Sequence, residues 1–464
     1  MKIVLMGLLV ISLIVPGVAN TQANDEKVRT GGNALEYQDH IVQDGITWKF
    51  KEKVPVGKFV NGDSYVVGRT TIVEITPQPR NGRNGSVLNF RPDPFRSGFD
   101  DRVRNSRYDP SLAVRVPIKM VPGDSLISSI SVDVVGELPA PLRPRDKSNS
   151  PVRSVSILTC LDKPVPQDAF RPSYCDRQQK IYLARNLRRD LLPRLSRVNG
   201  GLDHKPGPLQ IDEWTERFRR PWMDTCFFNF DAPIEYMPHY GREIGRAVGI
   251  ASLLLMLDFP ESSKEKLLIN FVQYGIDLWG IVCAGHRGWP GHGGHGSGRK
   301  WPIIFAGIML AETDMQSPKK KYPKVEFGED MQTMCGKGWT GATALYAGHV
   351  GKDGRVGKVG WGAYEHLHPS EWLDPIGENY RRCCTSIAWV GQALATRIMK
   401  SEKLWGHDAF FDYVDRWMTE DDQKAIVEIK KARGWDYSAD WARQGQAWDP
   451  FVNEMWARYR HRRP

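Results

Sequence analysis

Residues 285–301 read Gly-His-Arg-Gly-Trp-Pro-Gly-His-Gly-Gly-His-Gly-Ser-Gly-Arg-Lys-Trp and set three histidines, two arginines and a lysine among seven glycines. Imidazole is the side chain whose charge changes near neutrality, so it serves as base, acid or ligand. Glycine lets a backbone take positive φ and come close to a bound group. The stretch runs into Pro302, which suits the first turn of a helix. A loop that feeds a helix N-terminus meets free N–H groups and a dipole that favour an anion. His292, His295, Arg299, Lys300 and Trp301 are therefore candidates for holding a carboxylate, sulfate or phosphate. The alternative is a mobile glycine segment with solvated charges.

Two further segments carry the same residue types. Glu235-Tyr236-Met237-Pro238-His239-Tyr240-Gly241-Arg242 stands at the entry to an apolar helix over 243–257. Glu378-Asn379-Tyr380-Arg381-Arg382 precedes a helix expected from Thr385. Asn and Arg can neutralise a carboxylate by hydrogen bonding, and Tyr can trade a proton. Each also has a bland alternative, a histidine bonded to backbone or a helix start with ordinary surface cations.

Other chemistries fit less well. Cys283, His286, His292 and His295 have metal-like spacing, but zinc needs ligands held in tetrahedral geometry and these glycines supply little rigidity. No metal site is assigned. Gly293 and Gly298 have P-loop separation, yet Arg299-Lys300-Trp301 replaces the required Lys-Ser/Thr. Glycoside hydrolysis needs two carboxylates. Asp224, Asp231, Glu235, Glu329, Asp330 and Glu365 are available, but no motif selects a pair. Trp222, Trp289, Trp301, Trp339, Trp361 and Trp372 lie in or beside loops, where indole faces could stack on sugars or simply pack.

The elements that must position these groups change character along the chain. From 45 to 158, runs such as Ile46–Phe50, Tyr65–Val67, Thr70–Ile75 and Ile127–Val135 alternate with Asn61-Gly62, Asn81-Gly82, Asn84-Gly85 and Pro122-Gly123 turns, which predicts a β-rich domain. Residues 136–151 read as an exposed connection. From 178 to 464 the periodicity is helical. Ser262-Ser263-Lys264-Glu265 has the form of a capping box opening a long helix towards Cys283. Phe410, Tyr413, Val414 and Trp417 recur at helical spacing opposite Asp408, Asp412 and Asp415. Helices separated by long decorated loops after a β domain suggest a helical α/α toroid with a loop-lined cleft.

Residues 1–23 combine Lys2, an apolar run from Ile3 to Val18 and small residues at Ala19 and Ala23, the pattern of a secretory signal. The expectation is a secreted or periplasmic protein. The longest later apolar run, Ala247–Leu257, is too short to span a bilayer, so no membrane insertion is expected. Formal net charge is +10, or +9 once Lys2 leaves with the signal. In an exported chain that balance points to an acidic polysaccharide rather than nucleic acid. Seven cysteines over 464 residues make no disulfide framework. Cys160 and Cys175 could pair across a loop, and adjacent Cys383 and Cys384 are expected to pack as small hydrophobes.

The segment His407-Asp408-Ala409-Phe410-Phe411-Asp412-Tyr413-Val414-Asp415-Arg416-Trp417-Met418 resembles the late helices of α/α-toroid carbohydrate-active enzymes. A β module combined with a helical pattern and a basic Asn/His/Tyr/Arg set is similar to the alginate, chondroitin and heparin lyases, a likeness carried by roughly residues 200–420. Together with the strand pattern before residue 158, the expected architecture is an N-terminal β-rich domain followed by an all-α toroid, although many such lyases place the β domain after the helices; the resemblance implies β-elimination on a uronic-acid polymer. In that reading Arg299 and Asn379 neutralise the C6 carboxylate, His295 or His239 takes the C5 proton, and Tyr380 or Tyr240 protonates the leaving oxygen. Arg242, His292, Lys300, Trp301, Arg381 and Arg382 would bind substrate. The step needs no cofactor, although some such lyases use a divalent cation. The alternatives are a toroid glycoside hydrolase using Asp330 and Glu235, and a glycan-binding surface protein without activity.

Overall fold

A computed structural model describes residues 35–461, except 94, 104–106, 144, 204–206, 226–231, 352–359 and the side chain of 441. The expected signal segment lies outside the described residues.

Strands β1 (Glu36–Gln43), β2 (Ile46–Lys58), β3 (Ser64–Val67), β4 (Thr70–Thr76), β5 (Ser86–Leu88), β6 (Ile118–Met120), β7 (Ser125–Ser131) and β8 (Val152–Leu161) form one sheet. Its order is β5-β7-β8-β3-β2-β4-β6, with β1 also paired to β2. The pairs are antiparallel except β3 with β8. Side chains alternate between faces along a strand. Ile127 and Ile157, which pair across β7 and β8, join Val87 and Val155 in the same core as the helices. Leu126 and Leu158 point the other way into a second core with Ile41, Trp48 and Ile72. Both faces of β8 are covered, so every residue of the strand but Arg153 is buried, Ser154, Ser156 and Thr159 included.

The helical part contains α1 (Ile211–Arg217), α2 (Gly241–Leu255), α3 (Glu261–Cys283), α4 (Lys300–Met309), α5 (Thr313–Gln316), α6 (Pro318–Lys321) and α7 (Gly328–Met331). It continues with α8 (Ile376–Tyr380), α9 (Ser386–Ile398), α10 (Glu402–Trp405), α11 (Asp408–Thr419), α12 (Gln423–Arg433) and α13 (Pro450–Tyr459). Helix α3 packs on α1 and α4, while α2, α11 and α13 pack on α9. A β-rich region thus precedes a helix-rich one. The helical part is not all-α: β9 (Gly288–Trp289) pairs with β10 (Glu326–Phe327), and β11 (Thr333–Cys335) with β12 (Ala344–Tyr346). Among the described residues the helices do not close into a toroid.

A buried guanidinium ties the two regions together. Arg171 donates through Nε to Asp63, in the turn before β3, and through Nη2 to Asp277 of α3, both at 2.6 Å. Removing such a charge from water is tolerable only when it is paired on several sides.

Several local expectations are corrected. Helix α3 starts at Glu261 after Pro260, with no side-chain cap, because proline presets the entry one residue before Ser262. The helix expected from Thr385 begins at Ile376, and Arg381–Thr385 form a single π-helical turn inside it. Cys383 and Cys384 are disulfide-bonded to each other, while Cys160 and Cys175 are separate buried thiols. Helix α11 buries Phe410, Tyr413, Val414 and Trp417, as its spacing predicted. Among the described residues no helix is long and apolar enough to cross a membrane.

Candidate functional site

Most of the glycine loop is packed against the rest of the chain, with Gly285 and Arg287 exposed. Of its length, His292 and His295 are half-buried and residues 296–300 are fully covered. Two glycines show why. Gly293 has φ +55°, and a Cβ there would overlap the Tyr380 ring. Gly241 opens α2 where a Cβ would collide with the His295 carbonyl. Glycine at both positions lets the loop lie directly on the entry of α2 and the last residue of α8.

That contact assembles a row of rings. His295 stands edge-on to Tyr240 with centroids 4.8 Å apart, and His292 follows at 5.9 Å. His349 lies 4.6 Å from His292 and 4.3 Å from Tyr380, with Trp361 at 4.7 Å. At the Tyr240 end the row borders a cavity of about 410 Å³. His239, Tyr240, Arg242, Glu243 and His295 line one side of it, and Arg143, Asp146 and Lys147 the other. The second wall belongs to the segment read as an exposed connection. It is folded back by a bridge between Pro139 and Lys147 and anchored by buried Leu142, Ser148 and Ser150.

The electrostatics separate the two proton-carrying groups. Burial holds His239 below its ordinary 6.5, with Glu243 pulling weakly the other way. Its Nδ1 has no hydrogen-bond partner among the described residues. Burial raises Tyr240 well above 10, with Arg242 opposing. The Tyr240 oxygen accepts the Gly294 N–H at 3.3 Å, which leaves its own proton available to a ligand. Glu243 is pushed up by burial, but Arg246 and Arg242 outweigh that and hold it ionised. Arg242 is buried over the Trp448 ring at 4.3 Å and donates to Glu243 and to the Cys383 carbonyl. Arg143 pairs with Asp146 at 3.0 Å, and Lys147 reaches the Glu137 carbonyl.

Other expected site residues lie elsewhere, for clear reasons. Arg299 is fully buried, bonded to Asp224 and to the His295 and Ser297 carbonyls, so it cannot meet a substrate carboxylate. Lys300 is buried against Asp330 at 2.6 Å, and Trp301 is a core side chain on Phe305. Arg381 and Arg382 are buried on Glu378, with Gln444 and Asp422 as second partners. Asn379 is exposed but accepts from Tyr437 and does not line the cavity. Tyr380 and His292 adjoin the cavity through the ring row without lining it. His349, Arg143, Asp146 and Lys147 were not singled out from sequence. The basic run Arg143-Pro144-Arg145-Asp146-Lys147 was the available signal.

Carboxylates proposed for hydrolysis are also engaged. Asp330 is held by Lys300 and the Trp405 indole, Glu235 by Arg220, and neither lines the cavity. Among the described residues no group of three or more His, Cys, Asp or Glu side chains is disposed to hold a metal ion, so Cys283, His286, His292 and His295 do not form one.

Compared with protein-family models, curated proteins and solved structures, the chain matches none.

Proposed function

We propose that the chain is an exported lyase that cleaves a uronic-acid-containing polysaccharide by β-elimination at the Tyr240 cavity. One observation carries the reading: His239, His295 and Tyr240 share a cavity whose walls also hold Arg143, Lys147 and Arg242. A base, an acid and cations around one concave site are the groups that β-elimination at a uronate requires.

The roles follow from the surroundings. A cation beside the C6 carboxylate makes the C5 proton more acidic, and Lys147, Arg143 and Arg242 are the cations at hand. His239, kept neutral by burial, takes that proton. Tyr240, kept protonated by burial, gives its own to the departing glycosidic oxygen. Groups whose environments push their pKa values apart divide acid and base work in this way. The half-buried His295, His292 and Trp361 of the ring row offer aromatic surface on which further sugars could lie. Arg299 and Asn379 take no part. A toroid scaffold is not needed for any of these steps.

The test is turnover of acidic polysaccharides by the purified protein, followed by ultraviolet absorbance of the unsaturated uronate product. Reducing ends without that absorbance would mean hydrolysis. Binding without either product would mean a glycan-binding protein.

A further inference from the structure

A second hollow, of about 380 Å³, lies over the first two turns of α3 and shares no lining residue with the Tyr240 cavity. Leu192 and Leu268 make part of its wall apolar. Lys264 lines it too, although the residue is only 4% exposed. A lysine that deep is ordinarily paired with a carboxylate.

Here the neighbouring carboxylates are taken. Arg194 pairs with Asp258 at 3.2 Å and with Glu261 at 3.1 Å, and Arg189 donates to Glu265 at 2.8 Å. Asp190, the remaining acid of the hollow, is exposed. Among the described residues the Lys264 side-chain nitrogen has no hydrogen bond or ion pair. It belongs to the first turn of α3, where the partial positive charge of the helix end disfavours a cation. Burial lowers its pKa from the ordinary 10.5, with Glu261 and Asp258 opposing the fall and Arg194 adding to it.

We infer that Lys264 is a covalent attachment site for a small neutral aldehyde, which its amine captures as an imine. The nitrogen lone pair attacks the carbonyl carbon, and the carbonyl oxygen takes up a proton to give a carbinolamine. The nitrogen gives up both its hydrogens, the oxygen leaves as water, and a C=N bond replaces C=O. No oxidant or reductant is consumed. A desolvated amine beside another cation is the setting that keeps lysine unprotonated and nucleophilic. Arginines already paired with carboxylates offer a charged ligand little, and the two leucines favour an apolar tail. The ligand class is therefore a short uncharged aldehyde. Nothing in this chemistry depends on the lyase reading.

The experiment incubates the full chain at pH 7 with butanal and cyanoborohydride, which reduces an imine to a stable secondary amine. Adducts are located by peptide mass spectrometry. Lys266, two residues further along α3 and exposed, is the internal standard. Lys264 should be labelled at least about tenfold faster than Lys266, since each unit by which a pKa falls multiplies the free amine about tenfold. Lys264→Met should remove the fast phase and leave Lys266 unchanged. Arg194→Gln releases Asp258 and Glu261 to pair with Lys264, so it should slow labelling there several-fold. Because Arg194 is exposed, that variant keeps the test valid if Lys264→Met fails to fold. Glyoxylate, an aldehyde that carries a carboxylate, should show a smaller preference for Lys264 than butanal does. Labelling of Lys264 no faster than Lys266, an unchanged Lys264 rate in Arg194→Gln, or a greater preference with glyoxylate would overturn the proposal.

Discussion

Arg299 and Asp224 are joined by three charge-assisted hydrogen bonds of 2.9 to 3.2 Å in a place that solvent does not reach. The same guanidinium holds the His295 and Ser297 carbonyls, so one side chain fixes the glycine loop from beneath. Arg299→Ala would leave a buried carboxylate with Tyr274 as its remaining side-chain partner. The expected cost is about 3–5 kcal/mol of folding stability. Arg299→Lys should recover part of it, since it keeps the charge but loses the fork. Urea unfolding of both variants measures this. A loss under about 1 kcal/mol in Arg299→Ala would show that the pair does not anchor the loop.

Catalysis at the Tyr240 cavity should respond differently. Tyr240→Phe removes the proton donor and should lower turnover about 10²–10⁴-fold, with the fold intact by circular dichroism. Turnover within a factor of about two of wild type would remove Tyr240 from the mechanism.

The pH profile of turnover gives a separate check. His239 must be neutral to act as base, and burial lowers its pKa below 6.5, so the acid limb should lie below that value. Tyr240 must be protonated, and burial raises it, so the alkaline limb should lie above 10. Activity should therefore be broad across neutrality. A rate that climbs through pH 7 to 8 would assign the base to some other group.

Much of the frame could be read from sequence, and the reasons are local. Val and Ile runs between Asn-Gly turns specified β2, β3 and β4, because both signals act within a few residues. Helix α11 was legible from the spacing of Phe410, Tyr413, Val414 and Trp417. Arg299 was misplaced because a substrate-binding arginine and a buried one look alike until the partner is known, and Asp224 lies 75 positions away. Residues 285–300 were open to two readings for the same reason: glycine permits mobility and close packing alike. Tyr380 and the entry of α2 decide between them. The 136–151 segment has the composition of a connector, but Leu142, Ser148 and Ser150 are buried, which turns it into a cavity wall.

Acid stability should depend on His286. Its ring is buried beside Trp289, accepts the Gly288 N–H through Nδ1, and is lowered by burial to about 4. The unfolded chain binds this proton near 6.5, so it takes up more protons than the folded one as pH falls. His286 thus contributes its full stability above pH 6.5 and loses it between 6.5 and about 4. The loss amounts to about 3 kcal/mol. His286→Gln should flatten that part of the stability curve measured by urea unfolding at successive pH values. Parallel curves for the two proteins would rule out His286 as the titrating group.

The bond between Cys383 and Cys384 should matter to the cavity more than to the fold. It joins neighbours in the chain, so it closes almost no length of unfolded polypeptide and removes little entropy from it. Its position is another matter. The Cys383 carbonyl accepts from Arg242, a Cβ on Gly294 would press on the Cys384 carbonyl, and Tyr380 ends the helical turn just before them. Reduction by a phosphine frees both peptide units to rotate, which shifts the acceptor that holds Arg242. The expected result is a melting temperature within a few degrees of the oxidised protein, together with a several-fold change in turnover or KM. Cys383→Ser/Cys384→Ser should behave like the reduced protein and ignore reductant. A mass increase of about 2 Da on reduction, with kinetics unchanged in both the reduced protein and the double variant, would mean that the bridge does not support the cavity.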